Sequence, residues 1–387
     1  MSEPSRPNHL SASSIAAIKK CPQLYRLAYV EGLRPDTDTT SQRRGTNWHK
    51  LFEVAAQADW DPVAAVVTHL NECYAEVPAS ITPDEWSLER QILVSCFVGH
   101  RWYWEADPVK FLGSEIPFEL PLRLPRTGLP LPTSEVLVRG KIDHVVRWHD
   151  SVCVLERKST TRSIADDGDY WDRLRKDTQV SLYALAFKDL TDLGGLLADL
   201  AIDGAKIERY GNTLYDVFHW PTIKPAKLTQ AETAAFIETG EYCGQKFSLD
   251  KGDAGLVAVD GCVVESEVGK SGKQAVKETV GMYGARLLQD IQERPTFYFA
   301  RREIARTDAE LQDFRQQLFA VYQAQKAFTK AGCWFENESQ CRATFPCPMI
   351  PICYGPGADA VCDGVTVPNG YKRIFTPLTV KGLEQEE

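Results

Sequence analysis

Two short segments in the middle of the sequence combine acidic and basic residues in a pattern typical of metal-dependent hydrolysis. Asp143 ends a Gly-Lys-Ile-Asp segment, and Glu156, Arg157 and Lys158 follow an apolar run that begins at Val152. Because side chains alternate along a strand, Glu156 and Lys158 should project from one face while Arg157 points away. The sequence therefore predicts two carboxylates and one ammonium that converge at the end of a hydrophobic sheet.

The spacing between the two segments predicts a hairpin. Residues 147–151 have the composition of a turn, which would bring Asp143 beside Glu156. Oxygen ligands of this kind hold Mg²⁺ or Mn²⁺, and a nearby lysine can orient a water or stabilise phosphate charge. The alternative is a solvated ion pair on an exposed strand. The apolar run 152–155 favours the metal site, because charges that end a strand buried on both faces need partners.

Helices and strands are predicted on both sides of this hairpin. The residues 32–44 have the composition of a polar loop, and the pattern then predicts helices over 45–58, 62–73, 83–105, 172–190, 226–241 and 308–330. Strands are predicted over 114–122, 135–147, 152–158 and 213–220. Helices, a mixed sheet and further helices are typical of an α/β domain.

Three polar side chains on the predicted helices are candidates for the same site. His49 borders the apolar face of its helix, where a neutral imidazole could reach a buried metal or serve as a structural side chain. Gln179 and Tyr183 are four residues apart and share one helical face. They are either a donor pair for a phosphate or nucleotide, or positions of an ordinary amphipathic helix.

Composition and charge bound the class of protein. The 387 residues are 43% hydrophobic, enough for a substantial core in one elaborated domain or two. No apolar run reaches the roughly 18–20 residues that cross a bilayer, so we expect a cytoplasmic protein without a membrane partner. The net charge of −9 argues against a nucleic-acid coat protein but is compatible with a nuclease that has local basic patches. Arg301, Arg302 and Arg306 are among the candidates for such a patch, and an ordinary solvated face is the alternative.

The cysteines fall into two groups. Six of the eleven are scattered, and five lie close together at Cys333, Cys341, Cys347, Cys353 and Cys362. Because thiols stay reduced in a cytosolic compartment, the C-terminal group indicates metal binding more than disulfides. Thiolates select iron–sulfur clusters or zinc, and free reduced thiols are the remaining alternative.

The order of these motifs resembles the PD-(D/E)XK nuclease superfamily. More closely, it is similar to the RecB-like branch, which includes the AddB nuclease domain, CRISPR-associated adaptation nucleases and many phage-encoded relatives. The resemblance covers roughly residues 9–355, although residues 195–300 match no element of the family. It implies an α/β fold in which a mixed central sheet is flanked by helices, with a helical insertion and a Cys-rich C-terminal tail.

The resemblance implies a role for each residue of the hairpin. His49, Asp143 and Glu156 would ligate Mg²⁺ or Mn²⁺, and the backbone carbonyl of Arg157 would add a ligand. Lys158 would position or activate the attacking water. The resemblance therefore implies that Asp143, Glu156 and Lys158 are the catalytic residues.

The resemblance also covers the helix after the hairpin and the cysteines. Gln179 and Tyr183 match the family's QxxxY motif and are implied to contact DNA near the cut. One cysteine before the core and three after it would hold a [4Fe–4S] cluster, with zinc as the alternative, at Cys21, Cys341, Cys347 and Cys353. The spacing of the last three lacks the close CxxC pair that is frequent in the family.

The function that the resemblance implies is metal-dependent DNA hydrolysis in recombination, repair or phage DNA processing, by an exonuclease or a single-strand-preferring enzyme. One alternative is an adaptation-type nuclease that trims DNA ends for a partner integrase. Another is a nuclease-like DNA-binding subunit without turnover. The chain would divide into a nuclease domain at 1–330 with a helical insertion near 46–108, a Cys-rich closure at 331–363 that joins Cys21, and a tail at 364–387.

Overall fold

Helices surround a central group of strands in the computed structural model, which describes residues 9–375 except 134, 193–208, 253–254, 270–272 and 344. The helices are α1 (Ala12–Lys20), α2 (Pro22–Tyr25), α3 (Thr40–Gln57), α4 (Pro62–Cys73), α5 (Pro83–Tyr103), α6 (Asp169–Leu174), α7 (Thr178–Asp192), α8 (Gln230–Thr239), α9 (Val280–Glu293), α10 (Pro295–Tyr298), α11 (Asp308–Ala331) and α12 (Ile350–Cys353). A short π-helix, Arg26–Val30, follows α2.

The strands are mostly short, and four of them are long enough to build the centre of the molecule. They are β1 (His9–Leu10), β2 (Leu33–Pro35), β3 (Lys110–Pro121), β4 (Leu137–Trp148), β5 (Ser151–Thr160), β6 (Arg209–His219), β7 (Glu241–Tyr242), β8 (Gln245–Lys246), β9 (Leu249–Gly252), β10 (Gly255–Val259), β11 (Cys262–Val263), β12 (Ser266–Val268), β13 (Gln274–Val276), β14 (Phe299–Ile304) and β15 (Tyr371–Arg373).

The central sheet is mixed, as predicted. β4 pairs antiparallel with β3 along one edge, and β5 pairs antiparallel with the last part of its other edge. β6 then runs parallel to β5, and β14 runs antiparallel to β6. The two-residue strand β1 lies parallel to the start of β4. The α/β fold class is therefore confirmed, with the hairpin of interest at the middle of the sheet.

The core lies on both faces of this sheet. On one face, residues of α7 and α11 such as Leu182 and Phe314 pack against Val145 of β4. On the other face, residues of α3, α5 and α9 pack against Phe218 of β6 and Phe299 of β14. The residues 152–155 of β5 are all buried, which confirms the predicted strand with two covered faces.

Two local predictions were wrong, for identifiable reasons. The predicted loop 32–44 ends early, because Thr39 and Gln42 form a capping box that begins α3 at Thr40. The helix predicted over 172–190 is two helices, α6 and α7. Asp177 interrupts it by accepting hydrogen bonds from the backbone N–H groups of Gln179 (2.8 Å) and Val180 (3.0 Å), so that it caps α7.

Other predicted boundaries agree with the structure or stay untested. α4 spans the predicted range 62–73, α5 spans most of 83–105, and α11 begins and ends within one residue of 308–330. The division into a domain, a closure and a tail stays a prediction, and residues 376–387 of the tail lie outside the described residues. No helix in the described parts of the chain is long and apolar enough to cross a membrane.

Candidate active site

The hairpin that carries the acidic residues has a two-residue turn and opens at its far end. His149 adopts a positive φ of 51° in the turn between β4 and β5, as two-residue hairpins require. The ladder between the strands runs from Trp148 and Ser151 to its last pair, His144 and Leu155. The residues that would pair next are Asp143 and Glu156, so the two carboxylates lie where the strands begin to diverge.

β4 is left unpaired on one edge at this point. Its edge away from β3 is paired with β1 at residues 137–138 and with β5 from residue 144 onward. Within the described residues, no strand lies against residues 139–143 on that side. Asp143 therefore occupies an opening in the sheet that a helix can approach.

Helix α3 places His49 in this opening. Trp48 and Leu51 are buried in the core and fix the helix, while His49 stays partly exposed. The Nδ1 atom of His49 lies 3.3 Å from Oδ2 of Asp143. Burial alone would raise the pKa of Asp143, but the contact with His49 and the charge of Lys158 outweigh it and hold this pKa below its usual value. Asp143 is therefore ionised at neutral pH.

Glu156 and Lys158 form a closed group with Gln179 of α7. The Lys158 ammonium contacts Oε1 of Glu156 and donates to Oε1 of Gln179 at 3.0 Å. The Nε2 group of Gln179 donates to Oε1 of Glu156 at 2.8 Å. The predicted alternation is confirmed, because these side chains share one face and the Arg157 guanidinium lies with Asp216 and His144 on the other.

Burial and the neighbouring charges act differently on the pKa values of Glu156 and Lys158. Glu156 is 1% exposed, and its burial, supported by the charge of Asp143 and opposed by that of Lys158, raises its pKa to about 7. Burial would lower the pKa of Lys158, but Glu156 outweighs this and raises it. At neutral pH the site thus combines an ammonium with a carboxyl group that is poised between its two protonation states.

Each carboxylate has one oxygen that is shielded from water. Oε2 of Glu156 is buried and accepts no hydrogen bond from the described residues, and Oδ2 of Asp143 is buried with Nδ1 of His49 3.3 Å away. Buried acceptors of this kind are costly unless something pairs with them, and a divalent cation with oxygen ligands meets that need. The donor set therefore fits Mg²⁺ or Mn²⁺. In the part of the chain that the structure describes, however, no three His, Cys, Asp or Glu side chains are already arranged around one point as a metal site.

The amide of Gln179 has a role that the sequence did not predict. Both of its ends are engaged with Glu156 and Lys158, so it fixes the spacing between these two side chains. Tyr183, one turn further along α7, interacts with Gln179 and packs edge-on against Phe118 with ring centroids 6.0 Å apart. Only the spacing of four residues signalled this pair. Their contact with DNA stays a prediction, as does the Arg157 carbonyl as a metal ligand.

The predicted cluster cysteines lie in one region of the structure. Cys21 is buried at the end of α1, and its Sγ accepts from the backbone N–H of Asn337 at 3.4 Å. The backbone N–H of Cys347 donates to the carbonyl of Cys341 at 2.8 Å. Burial raises the pKa of Cys353 to about 12, and the thiols of Cys347, Cys21 and Cys341 are near enough to contribute. The four thiols are therefore neighbours, although no three of them form a ready metal site among the described residues.

The prediction of an exposed basic patch at Arg301, Arg302 and Arg306 is wrong. Arg301 is only 6% exposed and forms ion pairs with Asp107 and Asp216, and Arg306 is buried between α6 and α7. Only Arg302 of the three remains partly exposed, stacked over Trp171. Arg301 and Arg306 therefore pair with groups inside the protein, and the three arginines do not form one exposed basic patch.

Comparison with known families and proteins gives one match. The family model for the PD-(D/E)XK nuclease superfamily matches residues 9–354, which include all of the predicted site residues. A search of curated proteins gives no match. The match identifies the superfamily but no branch within it, so membership of the RecB-like iron–sulfur branch stays a prediction.

Proposed function

Since the chain belongs to the PD-(D/E)XK nuclease superfamily, whose members are typically metal-dependent phosphodiester-cleaving enzymes, we propose that it hydrolyses DNA with Mg²⁺ or Mn²⁺. One observation carries the proposal. Two carboxylates lie beside an ammonium where the strands of a sheet diverge, and Oε2 of the buried Glu156 has no hydrogen-bond partner among the described residues. A structural ion pair has no need of such an oxygen, because its acceptors would be satisfied within the protein.

The proposed roles follow from the contacts of each side chain. Asp143 and Glu156 would hold the metal ion, and His49 would complete the set from α3. When bound, the ion would supply positive charge that neutralises the phosphate and acidifies a water. Lys158 would stay protonated and direct its ammonium to the reacting phosphate or water, while Gln179 keeps that ammonium at a fixed distance from Glu156.

The test is a cleavage assay on four DNA substrates. Linear and circular molecules, each single- and double-stranded and labelled internally, are incubated with purified protein in Mg²⁺, Mn²⁺ or chelator. We expect metal-dependent loss of linear DNA with circular DNA intact, which is the outcome for an exonuclease. Cleavage of the circles would instead indicate an endonuclease. No cleavage of any substrate by protein that binds Mn²⁺ would refute the proposal and favour a non-catalytic DNA-binding subunit.

Matched variants assign the activity to the site. Lys158→Met and Asp143→Asn should each lower cleavage at least about 100-fold, because each removes a group that stabilises the transition state. His49→Gln should lower metal affinity and so raise the metal concentration needed for cleavage, whereas His69→Gln on α4, whose ring lies 3.4 Å from Cys73 Sγ, should change nothing. Unchanged cleavage by both Lys158→Met and Asp143→Asn would show that the active site lies elsewhere.

We further propose that Cys21, Cys341, Cys347 and Cys353 hold a [4Fe–4S] cluster that joins the ends of the nuclease core. The support is their proximity and the partial burial of all four thiols. Anaerobically purified protein should contain iron and sulfide and absorb visible light. Cys353→Ser should lose both, and Cys333→Ser, at an exposed cysteine, should keep both. Colourless protein with stoichiometric zinc would exclude iron and leave the zinc alternative.

The biological role is a further proposal. We infer a function in recombination, repair or phage DNA processing from the preference for DNA ends that an exonuclease would have. Co-purification with an integrase would favour the adaptation-type alternative, in which the enzyme trims DNA ends for its partner.

A further inference from the structure

Three charged side chains form a row across three neighbouring strands, on the face of the sheet opposite to Glu156 and Lys158. Arg157 of β5 is the register partner of Asp216 in β6, and Asp216 is the register partner of Arg301 in β14. The Nη2 group of Arg301 donates to Oδ2 of Asp216 at 2.9 Å, and Nε of Arg157 lies 3.7 Å from the same oxygen. All three side chains are at most 6% exposed.

Further contacts tie the row to its surroundings. His100 of α5 lies with its Nε2 3.1 Å from Oδ2 of Asp216. The guanidinium of Arg157 contacts Nε2 of His144, whose Nδ1 is 2.8 Å from the hydroxyl of Ser114 on β3. The ring of Phe52, from α3, covers the Arg157 guanidinium at 3.9 Å. Arg157 therefore joins β5 to β4, to β6 and to α3 at one point.

This point lies directly behind the active site. Arg157 stands between Glu156 and Lys158 in the chain, and His144 follows Asp143. The backbone ladder between β4 and β5 ends at His144 and Leu155, so it does not extend to the two carboxylates. The contact between the side chains of Arg157 and His144 therefore joins the two strands at the end of the ladder, next to the two carboxylates.

Stability alone does not explain a buried arginine at this position. A buried ion pair contributes little net stability compared with apolar side chains of similar volume, because both charges must leave water. Cys153 and Leu155 precede Arg157 on the same face of β5 and are buried in an apolar cluster, so an apolar residue at 157 would continue that face. An arginine with fixed partners on two strands offers something different, namely a defined distance between those strands.

We infer that Arg157 is a positioning residue, whose side chain sets the separation of Asp143 from Glu156 and Lys158 through His144 and Asp216. This inference rests on the proposed nuclease function for the identity of the reaction, but its contacts do not depend on it. The Arg157 side chain contacts Asp216 and His144 on the face of the sheet opposite to the Glu156 and Lys158 side chains. Its removal should therefore change the geometry of the site and leave DNA binding intact.

The experiment compares Arg157→Met with a control at another buried ion pair. Arg286→Met removes the partner of Glu278, whose side chain is 0% exposed, in the region of α8 and α9. For each protein, kcat and KM are measured on linear DNA, Mn²⁺ affinity is measured by calorimetry without DNA, and unfolding is followed in urea. Because small misplacements of reacting groups are costly, we expect Arg157→Met to lower kcat about 10- to 100-fold with KM unchanged. Its Mn²⁺ affinity should also fall, whereas Arg286→Met should change only stability.

Two further variants keep the inference testable if Arg157→Met does not fold. Asp216→Asn keeps an acceptor for His100 but loses the charge that faces Arg157, and it should lower kcat and Mn²⁺ affinity in the same direction. Arg157→Lys keeps the cation without its planar fork and should rescue only part of the loss. Adding His144→Leu to Arg157→Met should cause no further loss in kcat, because both substitutions break the same contact.

Wild-type kcat and Mn²⁺ affinity in Arg157→Met would overturn the inference. A fall in kcat that matches the one in Arg286→Met at equal loss of stability would overturn it as well. If the wild-type protein cuts no DNA, the proposed function fails by itself. Lower Mn²⁺ affinity in Arg157→Met would then still support the positioning role, and unchanged affinity would refute it.

Discussion

The raised pKa of Glu156 makes a prediction about the stability of the metal-free protein. Between its ordinary pKa of 4.5 and about 7, the folded protein holds a proton on Glu156 that the unfolded chain releases. Folding is therefore disfavoured as the pH rises through this range, since the folded state binds more protons. Each pH unit between the two values is worth about 1.4 kcal/mol, so the loss is about 3 kcal/mol.

The assay is urea unfolding in chelator at about pH 5 and about pH 8, on the wild type and Glu156→Gln. Between about pH 5 and about pH 8 the wild type should lose about 2.5 kcal/mol of stability relative to the variant, because part of the total loss falls below about pH 5. Comparison with the variant removes the opposite contribution of His144, whose burial lowers its pKa to about 3. That histidine titrates alike in both proteins.

Glu89 provides the matched control. It is 3% exposed, but hydrogen bonds from Arg43, Arg44 and Tyr74 outweigh its burial and hold its pKa below the ordinary value. Glu89→Gln should therefore lose similar stability at both pH values. If Glu156→Gln and the wild type keep a constant difference in stability from about pH 5 to about pH 8, the argument from burial is wrong. Saturating Mn²⁺ should abolish the pH dependence, because the cation replaces the proton.

Three other substitutions test a close packing contact, a buried arginine and a helix cap, each by urea unfolding. A Cβ at Gly140 would lie 2.6 Å from Cζ of Phe118, so Gly140→Ala should cost about 1–3 kcal/mol and disturb Tyr183; a cost near zero would mean that Phe118 moves freely. Arg373→Met removes donors to the carbonyls of Val361 (3.1 Å) and Thr366 (2.9 Å) and also removes an ion-pair partner of Glu31. It should cost about 3 kcal/mol of stability. Lys372→Met, at an exposed position, is the control and should cost less than about 0.5 kcal/mol. Thr39→Ala removes the cap of α3 and should cost about 1 kcal/mol; no change would show that the core contacts of Trp48 alone hold the helix start.

The sequence was informative wherever a local rule determined the structure. Alternation along β5 separated Glu156 and Lys158 from Arg157, and the short turn between β4 and β5 brought Asp143 back to them. The capping box of Thr39 and Gln42 was also visible in the sequence, and reading it would have corrected the start of α3. These features depend on residues within a few positions of each other.

The remaining features depend on contacts between distant parts of the chain. Nothing near Asp216 indicates that it lies between Arg157 and Arg301, because this row exists only once β6 is inserted between β5 and β14. For the same reason the sequence does not show that Arg301 of β14 is buried against Asp216. The small strands β7 to β13 also escaped prediction, since they are too short to show a period.

The pairing of β2 with β15 has a consequence for folding during synthesis of the protein. Arg373 and Glu31, which interact across this pairing, are 342 residues apart in the chain. During synthesis, the segment around Leu33 must wait until residues 371–373 have emerged before its partner strand exists. Contacts of such long range form late and slow the search for the native state. The core can thus collapse around the central sheet while the segment around Leu33 is still unpaired.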